Sequence, residues 1–218
     1  MTEPPPGALS AEVVARLRRM ARGQSAPAEP PAAGATGTAR CDLCGAAMSE
    51  DHRHLLDVGE RQILCACEPC IAMRAGEGNL RPTGTRVLRL DDFVLADEIW
   101  AAFQIPIGLA FLMRSSVSGG IVALYPSPVG ATESELDLTA WDALCEANPI
   151  LDQMEPDAEA LIVNRTGDEH QYAIVPVDQC YRMVGLIKSR WEGITGGRGV
   201  EDAVGEFFER VRARALVG

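Results

Sequence analysis

Two Cys-x-x-Cys pairs constrain this chain more than any other feature it carries. The first is Cys41-Asp-Leu-Cys44 and the second Cys67-Glu-Pro-Cys70, with 22 residues between them. A Cys-x-x-Cys turn presents two thiolates to one ion, and a structural zinc site takes four soft or borderline ligands in a tetrahedron. The separation of the pairs is near that of paired Cys-x-x-Cys zinc modules. Five of the seven cysteines lie between positions 41 and 70, a clustering that favours a metal site over a scattered set of buried thiols. The N-terminus lacks the pattern of a secretory signal, so the expected location is the cytoplasm, where structural disulfides are not expected. The sequence thus nominates Cys41, Cys44, Cys67 and Cys70 as ligands of one zinc ion. The plain alternative is a set of free or buried cysteines without metal.

Neighbouring residues leave choices open. Cys65, two residues before Cys67, is a candidate substitute for Cys67 or Cys70, or a small buried residue on a hairpin. His52 and His54 are candidate ligands of a second ion, although a solvated histidine pair at a strand start is the more common outcome. Iron held by the four thiolates would make a rubredoxin-like electron carrier, and Gly45 after the first pair suits that motif. The second pair lacks the Cys-Pro-x-Cys-Gly form that rubredoxins show. Cys67-Glu-Pro-Cys70 also has the proline placement of thioredoxin-type dithiols, without the βαβ context such folds need.

The local pattern supports a module of residues 40–80. Cys41 to Gly45 reads as a compact turn, His54 to Val58 and Arg61 to Cys65 as a hairpin turning at Gly59-Glu60, and Glu68 to Arg74 as a helix with Pro69 in its first turn. Knuckle, hairpin and helix in that order describe a treble-clef or zinc-ribbon-like module. Ahead of it, residues 1–39 read as a disordered, tethered segment. Ser10 caps a short helix through Arg22 with a basic polar face, and a linker rich in Ala, Pro and Gly follows.

Residues 86–218 read as an α+β domain. Asp91 or Asp92 is expected to cap a helix through Phe103. Gly108 to Arg114 and Gly120 to Tyr125 form one expected hairpin; Ala160 to Asn164 and Tyr172 to Val177 form a second. Leu138 to Ala147 is helical, Asp178 caps a helix through Trp191, and an amphipathic helix ends the chain. The expected fold class is α+β, with an antiparallel sheet of two hairpins covered by helices on one face. The run from Tyr125 to Glu135 reads as a rigid turn and an exposed loop.

Catalytic signals are weak. Asn164, Arg165, His170, Asp178, Cys180 and Arg182 lie near the second hairpin, where a Cys-His arrangement is a candidate nucleophile. The ordinary reading of Cys180 is packing. The loop from Gly193 to Gly199 resembles a phosphate cradle but lacks the Lys-Ser/Thr end of a nucleotide loop. A net charge of -11 argues against binding a phosphate backbone, and no apolar run is long enough to cross a membrane.

Several whole segments carry a resemblance. Cys41-Asp-Leu-Cys44-Gly, His52-Arg-His-Leu-Leu-Asp57, Leu64-Cys-Ala-Cys67, Ile105-Pro-Ile-Gly-Leu-Ala-Phe111, Tyr125-Pro-Ser-Pro-Val-Gly-Ala-Thr-Glu-Ser134 and Cys180-Tyr-Arg-Met-Val-Gly-Leu-Ile187 resemble a bacterial domain family of unknown function. Its members are encoded beside genes of high-affinity, oxygen-tolerant nickel-iron hydrogenases. The resemblance runs from about Arg40 to the C-terminus. It implies an accessory role in assembly, maturation or electron transfer, with a hydrogenase subunit or maturation factor as partner. A non-enzymatic zinc protein acting through protein contacts is the leading expectation. The alternatives are the iron electron carrier serving the hydrogenase and a small-molecule enzyme using the second hairpin.

Overall fold

Strand alternation explains most of the architecture. The computed structural model describes residues 39–134, 138–193 and 196–217; the expected N-terminal helix and linker lie outside them. The first strands, β1 (Ala39–Arg40) and β2 (Ala47–Met48), pair around the first cysteine turn. Then come β3 (His54–Asp57), β4 (Gln62–Cys65), helix α1 (Glu68–Arg74) and β5 (Leu80–Pro82), with the three strands ordered β4-β3-β5. Knuckle, hairpin and helix follow one another as expected.

The larger sheet has seven strands. They are β6 (Leu88–Arg89), β7 (Leu109–Ser115), β8 (Gly120–Ser127), β9 (Gly130–Ser134), β10 (Glu159–Asn164), β11 (Gln171–Pro176) and β12 (Leu216–Val217). Their order is β12-β6-β11-β10-β7-β8-β9. Every pairing is antiparallel except β12 with β6. Helices α2 (Asp97–Ala102), α3 (Leu138–Ala147), α4 (Val177–Ser189) and α5 (Gly197–Arg214) complete the fold, with a 3-10 turn at Pro149–Gln153. The α+β class and both hairpins are as expected. None of the helices in the described residues is long and apolar enough to cross a membrane.

The helices cover both faces of the sheet, which corrects the one-face expectation. On one face Phe111, Leu124, Ile162 and Val175 pack with Met183, Val184 and Ile187 of α4 and with Phe207 and Phe208 of α5. On the other, Leu112, Leu161, Val163 and Ile174 pack with Phe103, Trp141, Leu144 and Leu151. The central strands are buried on both sides, so they read as continuous apolar runs rather than as alternation. Leu109 to Met113 and Ala160 to Val163 are such runs, each buried throughout.

Three other local expectations change. The helix expected from Asp91 or Asp92 begins only at Asp97, because the Asn148 side chain accepts from Val94 N–H and donates to Val94 C=O, both at 2.8 Å. That bracket holds the preceding segment in extended form. The run after Tyr125 is an edge hairpin, with Ser127 and Gly130 closing the β8–β9 ladder. Asp178 does not cap α4; Pro176 occupies the cap position and the helix starts at Val177.

The described residues form one compact unit. Strand β3 shows how. Leu55 faces a small core with Ala66 and Ile71, whereas Leu56 and Val58 point the other way, into the large core beneath the sheet. Arg61 pairs with Glu133 of β9, and Arg81 lies 3.9 Å from the buried carboxylate of Asp157.

Candidate metal centre

The first cysteine pair sits in a tight knuckle. Cys41 N–H donates to Ala46 C=O and Gly45 N–H to Cys41 C=O, each at 2.8 Å. Gly45 has φ of 74°, a left-handed conformation that favours glycine. The Asp42 carboxylate accepts from Cys65 N–H at 2.6 Å, and Asp42 N–H donates to Cys65 C=O at 2.8 Å. These bonds clamp the knuckle to the end of β4, two residues from Cys67. Cys67 then occupies the cap position of α1, with Pro69 in the first turn, and the helix carries Cys70 back toward the same point.

The four expected residues therefore converge. The Sγ atoms of Cys41, Cys44, Cys67 and Cys70 all lie within 4.8 Å of one another. Cys44 Sγ and Cys67 Sγ are 3.6 Å apart, too far for a disulfide. A tetrahedron with zinc–sulfur bonds of about 2.3 Å has sulfur–sulfur edges of about 3.8 Å, so this set fits a metal ion. Cys41 is buried and Cys44 exposed.

Crowding sets the thiol ionisation. Burial raises Cys41, but hydrogen bonds from the backbone of Cys67, Cys44 and Leu43 outweigh it and bring the thiol down to about 6. Cys70 is pushed up to about 12 by its contacts with Cys67 and Cys44 and by burial. For Cys44 the Ala46 backbone acts downward, yet the Cys41 and Cys67 thiols and burial prevail and raise it. One thiolate is favoured and further ones are opposed, as expected where negative charges share a site. A cation removes that opposition.

Cys65 falls outside this set. Its sulfur groups with His52 and His54. Burial, then Asp42 and Cys41, raise its thiol above the ordinary value.

The polar residues expected near the second hairpin are dispersed. Cys180 is completely buried in the core beneath α4, and burial raises its thiol well above the ordinary value. Arg165 pairs with Asp97 and lies over the Trp100 ring on the opposite face of the sheet. Asn164 bonds Gln171 and Thr166, and His170 is exposed beside Tyr172. Asp178 turns away toward His54, at 3.1 Å. In the glycine loop, Ile194 and Thr195 lie outside the described residues, and Gly196 N–H donates to Glu192 C=O at 3.1 Å. A polar feature that sequence reasoning missed is the buried Glu159, held by Arg86 at 2.9 and 2.7 Å. Its only sequence signal was a charge at the start of an apolar run.

Fold and site together define an α+β protein with a four-thiol centre fit for one metal ion. The chain belongs to the family of unknown function DUF5947, whose model matches residues 40–215. No curated protein and no solved structure matches the chain.

Proposed function

We propose that this chain is a non-enzymatic accessory protein of a nickel-iron hydrogenase, with a structural zinc ion in the four-cysteine centre. The observation that carries the metal reading is the convergence of four sulfurs from a knuckle and a helix start. A set of four protein ligands leaves no position for substrate, which is the signature of a structural rather than catalytic zinc. The hydrogenase assignment rests on the segment resemblance alone. The dispersal of the polar residues around the second hairpin favours contacts with a protein over small-molecule chemistry. Residues 1–39 act in this reading as a basic docking arm, since a tether raises the local concentration of a second contact.

The tests are metal analysis and capture. Natively purified protein should contain zinc and show no visible absorption; iron with thiolate-to-iron bands would replace this reading with the electron carrier. Tagged full-length chain should enrich a hydrogenase subunit or maturation factor from an extract of the native host, and deletion of residues 1–39 should weaken that enrichment. An extract that yields no hydrogenase polypeptide sinks the accessory role.

A further inference from the structure

The β3–β4 hairpin assembles a second donor set beside the four thiols. His52, His54 and Cys65 each offer one ligand atom, and these atoms lie within 4.8 Å of one another. Register is the cause. His54 and Cys65 are direct partners across the ladder, and directly opposed residues of an antiparallel pair place their side chains on one face. His52 lies two residues before His54, and extended chain returns to the same face every second residue. The two imidazole rings are 4.7 Å apart between centroids.

Polar contacts on the second ring nitrogen orient both imidazoles as in metal ligands. A carbonyl oxygen only accepts, so His52 Nδ1 donates to Ser49 C=O at 2.9 Å, and in the neutral ring Nε2 carries the lone pair. That Nε2 is buried and has no hydrogen-bond partner among the described residues. His54 Nδ1 lies 3.1 Å from Asp178 Oδ2 in an ion-pair contact, on the side of the ring away from Nε2. Metal-bound histidines commonly hold their second nitrogen on a backbone carbonyl or a carboxylate; here a carbonyl holds His52 and a carboxylate lies beside His54. Asp178 Oδ1 is likewise buried without a partner among the described residues, so the carboxylate's charge is only partly engaged. An unpartnered buried acceptor is costly; a cation between the rings would satisfy His52 and offset the charge of Asp178.

We propose that His52, His54 and Cys65 form a second zinc site, distinct from the four-cysteine centre, with Asp178 as the positioning residue for His54. Two imidazoles and one thiolate suit zinc. Three protein ligands leave a fourth position open to water or an incoming donor, unlike the closed four-thiol set. Because Asp178 belongs to α4, the ion links the metal-bearing hairpin to a helix of the larger sheet.

The experiment equilibrates the full chain with micromolar zinc, removes free metal and counts bound zinc by mass spectrometry. Two ions per chain are expected, falling to one in the His52→Gln/His54→Gln double variant and in Cys65→Ser. Zinc-edge X-ray absorption on the wild type should show imidazole nitrogen besides sulfur. Asp178→Asn should weaken the second ion about 10- to 100-fold in a chelator competition and leave the first unchanged. A wild type that holds one ion in an all-sulfur shell overturns the site, and so does a second ion that survives both ligand variants. The wild-type count and shell decide the question even where a variant fails to fold.

Discussion

The cysteine module and the sheet region differ in how much apolar core each holds. The sheet region buries side chains on both faces; Phe103, Phe111, Leu112, Leu161 and Ile162 are each fully enclosed. The cysteine module has a small core of its own, with Leu55, Ala66 and Ile71 buried and Leu43, Leu64 and Leu80 partly buried against them. Apolar burial contributes roughly 25 cal/mol per Å², so a core this small offsets little of the entropy of ordering a module of this length. A module with so small a core gains most from a metal or an equivalent staple, whereas the sheet has a large core of its own. Leu56 and Val58 join the two by entering the larger core.

Metal removal should separate the two regions most sharply. Structural zinc contributes apparent binding free energies of about 10–16 kcal/mol in small zinc modules. Chelation, or Cys41→Ser with Cys44→Ser, should therefore abolish amide-exchange protection in α1 and the knuckle while the seven-stranded sheet stays protected. Loss of protection throughout would show that the module holds the sheet together. Acid should act in the same direction. With the Cys70 thiol pushed up to about 12 and Cys44 raised, metal uptake at neutral pH displaces protons, so affinity falls as pH falls. Retention of added metal measured across a pH series checks the sign.

A cavity in the sheet core should give the reverse pattern. Phe111→Ala removes a fully buried ring and should cost about 3–5 kcal/mol in denaturant unfolding, with metal content unchanged in the folded protein. If the variant loses metal while still folded, the regions are more tightly coupled than their cores suggest. The smallest effect belongs to the junction. Arg61 and Glu133 are partly exposed, and exposed pairs contribute about 0.2–1 kcal/mol. Arg61→Ala should shift stability within that range, and a larger loss in the same unfolding assay would assign the pair a share in holding the module to the sheet.

The sequence by itself determined what local rules govern. Two Cys-x-x-Cys pairs, a knuckle glycine at Gly45 and a proline in the first turn of α1 specified the four-thiol set, because ligand spacing and turn chemistry act over a few residues. Apolar runs and turn signals likewise marked both hairpins of the sheet and the α+β class. Tertiary structure decided the rest. Whether apolar runs such as Leu109 to Met113 faced one layer of helices or two depended on where α2, α3, α4 and α5 packed. The short extent of α2 followed from Asn148, far along the chain. Asp178 was legible as a helix cap and became the partner of His54 only once β3 lay against α4. Cys65 met His52 and His54 through strand register. Such contacts pair residues distant in sequence, and spacing along the chain does not encode which of them meet.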